Sequence, residues 1–219
     1  MMNIKCEYLI CSRCMYESKI SNIIFDTDAV CNYCKQIDEM LELYGTGGLK
    51  GENDFKKIIG QIKSDGKEKK YDCVIGVSGG TDSSYLIMKA VDWGLRPLAV
   101  HYDNTWNAST ATMNIARVTK TFGVDLWTHV VNNEVADDIK KAFPLAGVQE
   151  FDADTDIALP QVMRAAAAKF SIKYILEGHS FYTEGVSPIG SNYFDGGYVE
   201  DIHKKFGELK PGNFPNIKF

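Results

Sequence analysis

Cys73-Val74-Ile75-Gly76-Val77 is an unbroken apolar run, and Ser78-Gly79-Gly80-Thr81-Asp82-Ser83 follows it directly, ahead of Ser84-Tyr85-Leu86-Ile87-Met88. The succession predicts a buried strand, a tight glycine turn and the start of a helix. Two glycines let a backbone approach an anion closely. The amides of a first helical turn lie at the positive end of the helix dipole, and the hydroxyls of Ser78, Thr81 and Ser83 add donors. The loop reads as a phosphate cradle, against the plainer reading of a Gly-Ser turn between strand and helix. Asp82 would repel a bare phosphate but suits one carried with Mg2+. No lysine occurs between Tyr71 and Met88, so the residue with which a G-x-x-x-x-G-K-[ST] loop reaches terminal phosphates is missing. Such a cradle fits chemistry at an α-phosphate better than transfer of the terminal one.

Outward from this loop the chain alternates. Strands are predicted at 72–77, 97–102 and 125–131 and at Lys173-Tyr174-Ile175-Leu176, with helices at 83–93, 107–121, 134–142 and Thr155 to Phe170. This is the pattern of an α/β fold, a parallel sheet with helices on both faces, and ligands of such sheets bind beyond the carboxyl ends of the strands. The candidate site is therefore the turn at 78–83, His101 to Trp106 after the second strand, and Glu177 to Ser180 after the fourth.

His101, Tyr102 and Asp103 stand where a nucleotide-binding sheet offers backbone bonds and an apolar surface to adenine, with Asp103 near metal or phosphates. Alternatively Asn104 or Asn107 caps the next helix. Asp152-Ala153-Asp154-Thr155-Asp156 opens the helix to Phe170, with Pro160 in its first turn; these acids either cap the helix or meet a metal or substrate hydroxyls. Arg164 in that helix points at phosphate or at solvent. Gly178 admits a ligand close to the backbone, and His179 and Glu184 are candidates for proton handling or substrate orientation. Ser187 to Tyr198, rich in glycine and aromatics, reads as a substrate loop.

Cys11-Ser12-Arg13-Cys14 and Cys31-Asn32-Tyr33-Cys34 give C-x2-C-x16-C-x2-C, the spacing of a four-cysteine structural zinc site, with a short hairpin through Ile23 to Asp28 joining the knuckles. A redox pair, an iron-sulfur site or buried thiols are the rival readings. Cys6 is a possible substitute ligand, and Cys73 reads as core. Residues 1–44 form this cysteine-rich module. Residues 45–70 are a glycine-rich linker, Tyr44 to Gly51, then a helix over 53–65 capped by Asn53 or Asp54 with Phe55, Ile58, Ile59 and Ile62 on one side. Residues 71–203 are the nucleotide-binding catalytic domain, and 204–219 a tail or the start of a segment beyond this chain.

The 219 residues are 45% hydrophobic and 24% charged, enough for a sizeable core. A net charge of −5 argues against nucleic acid as partner and favours a small-molecule substrate. No run approaches a membrane span and Met1 to Cys6 lacks a signal-peptide core, so the expectation is a cytoplasmic protein without membrane partners.

The Ser78–Ser83 loop resembles the SGGxDS loop of the PP-loop ATP pyrophosphatase superfamily, the adenine nucleotide alpha hydrolase-like fold. Together with Cys31-Asn32-Tyr33-Cys34, Tyr102-Asp103-Asn104-Thr105-Trp106-Asn107, Thr128-His129-Val130-Val131, Thr155-Asp156-Ile157-Ala158, Tyr174 through Phe181, Thr183-Glu184-Gly185 and Ser187-Pro188, nearly the whole chain resembles the N-acetyl sugar amidotransferases of lipopolysaccharide, surface-polysaccharide and nonulosonic-acid biosynthesis. It departs at Met15-Tyr16-Glu17-Ser18, where many members carry proline. Members of that family also usually extend further than this chain, so the resemblance implies a substrate site completed in part by residues beyond it.

The resemblance implies ATP, Mg2+ and Zn2+ as cofactors and an acetamido sugar, nucleotide-linked, as substrate. It implies conversion of acetamido to acetamidino through an adenylate, with release of AMP and pyrophosphate. Ammonia would come from glutaminase and cyclase-like partner subunits, since no glutaminase signature is present. It places pyrophosphate on Ser78, Gly79, Gly80, Thr81, Asp82 and Ser83, Mg2+ on Asp82, and adenosine at the loop after the second strand. A tRNA thiolase of the same superfamily, or a zinc-stabilised nucleotide-binding module without turnover, are the alternatives. No cysteine after Cys73 and an acidic balance count against the thiolase.

Overall fold

Val74 and Ile75 are completely buried and face opposite ways, because successive strand residues point to opposite sides of a sheet. They belong to β1 (Cys73–Gly76), which lies inside a four-stranded sheet with β2 (Pro97–Asp103), β3 (Asp125–Val130) and β4 (Tyr174–Leu176) in the order β3-β2-β1-β4. Every pairing is parallel; Val74 stands beside Leu98 on one side and Ile175 on the other. Strands covered on both faces read as continuous apolar runs, which is why β1 was legible from its composition. The computed structural model describes residues 8–150, 152–188, 195–210, 212 and 214.

Parallel neighbours need crossovers, and helices supply them. Ile59 and Ile62 of α2 (Leu49–Gly66), Ile87 and Ala90 of α3 (Thr81–Asp92), and Ile115 of α4 (Ser109–Phe122) pack with Ile75 and Ala99 on one face. On the other face Ile139 and Phe143 of α5 (Asn133–Ala146), Ala158 and Val162 of α6 (Ala153–Lys169), and Val199 and Ile202 of α7 (Gly196–Phe206) pack with Val74, Leu98 and Val100. Each such fully buried aliphatic side chain contributes about 1.5–3 kcal/mol.

The amino ends of β1 and β2 are tied by Asp72, whose carboxylate accepts from the Arg96 amide at 2.7 Å and from its guanidinium at 2.7 and 3.1 Å. The same guanidinium donates to the Gly66 carbonyl at 2.6 Å. A Cβ on Gly66 would fall 2.1 Å from Asp72 Oδ1, so only glycine lets α2 end against this brace.

The described residues divide into two units, the larger being 58–178 with those from 195 onward and the smaller 8–57 with 179–188. In the smaller, antiparallel bridges Ile10–Glu17 and Phe25–Cys31 close two turns ahead of α1 (Asn32–Tyr44). Phe181–Gly185 forms a single π-turn, with Val186 N donating to Phe181 O at 3.1 Å. Its Phe181 ring lies 5.9 Å from that of Tyr44.

Several boundaries differ from expectation. α2 begins at Leu49, inside the glycine-rich run, so Asn53 and Asp54 are interior helical residues and not caps; Ile59 and Ile62 are buried while Ile58 is exposed. β2 continues through His101 and Tyr102 to Asp103. α4 starts behind Ala108 with no side-chain cap, because Asn107 is drawn back to Asp103 and Asn104 to Thr155. α6 starts at Ala153, which puts Pro160 inside the helix. The Ile10–Glu17 bridge brackets Cys11 to Cys14, and the Phe25–Cys31 bridge closes a turn over 26–30 that leads into the second pair at the start of α1.

The sequence pattern does not reveal α7, because two glycines at its start hide it. Its N-cap is Asp195, which accepts from Tyr198 N at 2.9 Å, and buried Val199, Ile202 and His203 dock it. Residues 189–194, half of the expected substrate loop, and Cys6 lie outside the described residues, while the loop's last three residues, Gly196 to Tyr198, open α7.

Candidate functional site

Strand order reverses direction at β1. The chain moves from β1 to β2 and β3 on one side, and β4 returns on the other. Ligands of open parallel sheets bind at the carboxyl ends beside such a switch. The Ser78–Ser83 loop leaves β1 there, and Gly178 follows β4. A Cβ on Gly178 would stand 3.7 Å from the Asp82 carbonyl oxygen, so the two segments are neighbours in ordinary contact.

The loop is built tightly around one glycine. Gly79 has φ +78°, and a Cβ there would meet the Ala111 carbonyl oxygen at 2.3 Å and its Cα at 2.7 Å. Both conformation and space demand glycine. Asn114 Nδ2 donates to the Gly79 carbonyl at 3.1 Å, which fastens the first turns of α4 to the loop. Gly80 has an ordinary φ of −79°, and its Cβ would come no closer than 3.4 Å, to Ser78 Oγ, so the second glycine is not sterically required.

Gly80 caps α3 with backbone alone. Ser84 Oγ donates to its carbonyl at 2.7 Å, and Ser83 Oγ accepts from Ser78 N at 3.3 Å. The first-turn amides of Thr81, Asp82 and Ser83 have no intrahelical acceptor, so this helix N-terminus could hold an anion. Asp82 is exposed in that first turn, free to meet a metal held by a phosphate.

At the end of β2, His101 is buried and its Nδ1 lies 3.0 Å from the Val77 carbonyl oxygen. A carbonyl only accepts, so the ring donates from Nδ1 and braces the residue just before the cradle. Tyr102 is also buried, stacked against His129 at 6.3 Å. Burial, then Asp154 and Asp152, push its phenol well above the usual range. The Tyr102 hydroxyl and Asp154 Oδ2 have no hydrogen-bond partner among the described residues.

Asp103 Oδ1 accepts from Thr105 N at 2.9 Å and Asn107 Nδ2 at 3.0 Å, folding the 103–107 turn, in which Thr105 has φ +65°. Arg164 is exposed on α6. His179 and Glu184 belong to the smaller unit. There His179 Nδ1 lies 3.1 Å from Glu184 Oε2, both side chains exposed, and Ser180 N donates to the same oxygen at 3.4 Å.

No acid side chain caps α6, and two of the acids at its start, Asp152 and Asp154, are held by a lysine. Asp152 Oδ1 and Asp154 Oδ1 accept from the Lys140 ammonium, the latter at 3.1 Å, and Thr155 Oγ1 accepts from it at 3.0 Å. Burial raises the carboxyls of Asp154 and Asp156, against the pull of Lys140. Lys140 was not singled out from sequence. The signal was there: Ala136, Lys140 and Phe143 share a face of α5 at helical spacing, and a lysine on an apolar face requires a partner.

Cys11, Cys14, Cys31 and Cys34 bring four sulfurs within 4.8 Å of one another. The Cys11–Cys34 and Cys14–Cys31 sulfur separations are 3.8 and 3.5 Å. Tetrahedral zinc with bonds of about 2.3 Å needs edges of about 3.8 Å, so the cluster fits. Cys11 Sγ accepts from the amides of Arg13 at 3.4 Å and Cys31 at 3.3 Å. Burial raises this thiol, but the amides of Cys14, Arg13 and Cys31 outweigh it and bring it down to about 6. Cys73, wholly buried, has its thiol pushed up to about 12, as an inert core residue should.

No family model matches the sequence, and no curated protein matches it. Among solved structures the chain is similar to a glutamine-dependent NAD+ synthetase from Acinetobacter baumannii in complex with ADP, with TM-score 0.46, 14% identity, and 73% of this chain and 34% of that one covered. It is also similar to an NMN synthetase from Francisella tularensis (0.41, 16%, 70% and 70%) and an NH3-dependent NAD synthetase from Campylobacter jejuni in complex with nitrate (0.42, 15%, 68% and 70%). The chain spans about a third of the length of the first. These are loose likenesses; strand order and connection define the fold. Among the described residues no helix is long and apolar enough to cross a membrane.

Proposed function

We propose that this chain is an ATP-dependent, AMP-forming amidotransferase that converts the acetamido group of a nucleotide-linked sugar to acetamidino. The observation that carries the reading is the cradle itself: first-turn amides and Asp82 at the switch of a parallel sheet, with no lysine within the loop between Tyr71 and Met88. Such parts are what a site uses to grip pyrophosphate as a leaving group.

An amide carbonyl resists ammonia because its oxygen leaves poorly. In the proposed reaction that oxygen attacks the α-phosphorus of ATP, the bond to the bridging oxygen breaks, and pyrophosphate departs on the Ser78–Ser83 amides and hydroxyls. Ammonia then adds to the activated carbon, AMP leaves with the former amide oxygen, and a proton is lost to give the amidine. Mg2+ on Asp82 would neutralise charge on the departing phosphates. His179, hydrogen-bonded to Glu184, is a pair able to accept that proton. Zinc on the four cysteines, with every position filled by protein, would be structural. Ammonia would come from separate glutaminase and cyclase-like subunits.

The test is incubation with Mg-ATP, ammonium and a panel of N-acetylated UDP-, CMP- and GDP-sugars, following AMP, pyrophosphate and product mass. AMP that appears only with an acetamido sugar, with one oxygen replaced by NH in the product, supports the reading. Turnover that depends on tRNA and a sulfur donor, or none with any acetamido sugar, sinks it.

A further inference from the structure

Beneath the 103–107 turn lies a relay of hydrogen bonds that the proposed chemistry does not use. Lys140 is 6% exposed, and its three ammonium protons are all committed, to Asp152, Asp154 and Thr155. Thr155 Oγ1 accepts a second bond from Asn104 Nδ2 at 3.1 Å. Asn104, itself buried, accepts from Trp106 N at 3.1 Å through Oδ1. Both faces of the Asn104 amide are thus spent on joining the start of α6 to the turn. A second tie runs from the same helix as Lys140: Trp106 Nε1 donates to Asp137 Oδ1 at 2.9 Å.

A buried ion pair is a poor device for stability, since apolar residues of like volume serve as well or better. What such a pair can supply instead is geometry. Here the saturated lysine orients Thr155, Thr155 orients Asn104, and Asn104 fixes the amide of Trp106 within a turn that contains a left-handed Thr105. Lys140 is buried with its ammonium spent, and Thr155 Oγ1 already accepts from both Lys140 and Asn104.

We propose that Thr155, with Lys140 behind it, is a positioning residue that sets the 103–107 turn to receive the nucleoside half of ATP, separately from the cradle that holds the phosphates. This rests on the reading that ATP binds at the carboxyl edge of the sheet. The two halves of the ligand are then held by different machinery, and damage to the relay is felt by one half only.

Equilibrium binding of Mg-ATP and of Mg-pyrophosphate to the full chain separates the two. Thr155→Val keeps the shape and removes the shared oxygen. It is expected to weaken Mg-ATP about tenfold, the consequence of one misdirected hydrogen bond, while Mg-pyrophosphate changes less than about twofold. Thr155→Ser, which restores the oxygen, is expected to recover Mg-ATP binding. Asn104→Ala cuts the same relay without touching the lysine cluster, and is expected to reproduce the split even where the valine variant fails to fold. Unchanged Mg-ATP binding, or equal losses for both ligands without rescue by serine, overturns the inference. Wild-type protein that binds Mg-pyrophosphate and not Mg-ATP overturns the ATP reading and this inference with it.

Discussion

The His101 imidazole donates from Nδ1 to the Val77 carbonyl oxygen at 3.0 Å, across the β1–β2 pair and one residue before the cradle begins. The end of β1 is thereby held by a side chain from its neighbour where ladder bonding runs out. His101→Leu would leave that carbonyl without its partner, at about 1–3 kcal/mol. Thermal unfolding should show the loss, and Mg-pyrophosphate binding should weaken with it. Unaltered binding would mean that the cradle does not depend on this brace.

Gly79 and Gly80 should respond unequally. Gly79→Ala forces a Cβ to 2.3 Å from the Ala111 carbonyl oxygen in a left-handed backbone, whereas Gly80→Ala meets nothing closer than 3.4 Å. The first variant should abolish Mg-pyrophosphate binding and lower stability; the second should stay folded and bind within a few fold of wild type. Calorimetry on the pair checks this, and equal effects would contradict the geometry.

Asp138 should give stability a dependence on acid. Burial raises its carboxyl, but the Leu209 amide, His203 and the Glu208 amide outweigh it and hold it below the usual carboxylate value. His203 Nε2 lies 2.6 Å away, and the amides at 2.9 and 3.0 Å. A depressed carboxyl contributes stability above its unfolded value, about 3.9, that disappears as pH falls through the lower folded one. Asp138→Ala, which leaves His203 Nε2 and the Glu208 and Leu209 amides without their acceptor, should cost about 1–3 kcal/mol near neutral pH and progressively less below about pH 4. Denaturant titrations of both proteins across pH would reveal a constant difference if the carboxylate plays no such part.

Tyr102→Phe should do no harm. Its hydroxyl is buried without a partner, so removal relieves a desolvated dipole while keeping the ring on His129. The melting temperature is expected to hold or rise. A loss above about 1 kcal/mol would reveal a bond to an ordered water or to a ligand.

One zinc per chain is expected by elemental analysis, and Cys34→Ser should lower it. Chelation should make the segment from Cys11 to Tyr44 sensitive to protease, because metal binding there is folding free energy. Iron with visible absorption bands, or stoichiometric disulfides, would argue for the rival readings of the cysteines.

Local chemistry made part of this legible in advance. Residues 73–77 carry their strand in composition alone because β1 is buried on both faces. Gly79 and the hydroxyls around it announce a tight turn before a helix, and two C-x2-C pairs announce a four-sulfur cluster, since each pair closes within one turn of chain. Alternation of such segments determined the α/β class. Tertiary structure alone decided what depends on residues far apart meeting: the order β3-β2-β1-β4, which puts Gly178 beside Asp82; Ala111 pressed on Gly79; His101 on Val77; and Lys140 answering the acids of α6. Short-range pattern records which face a residue presents, whereas the partner on that face is chosen by packing of the whole sheet and its helices.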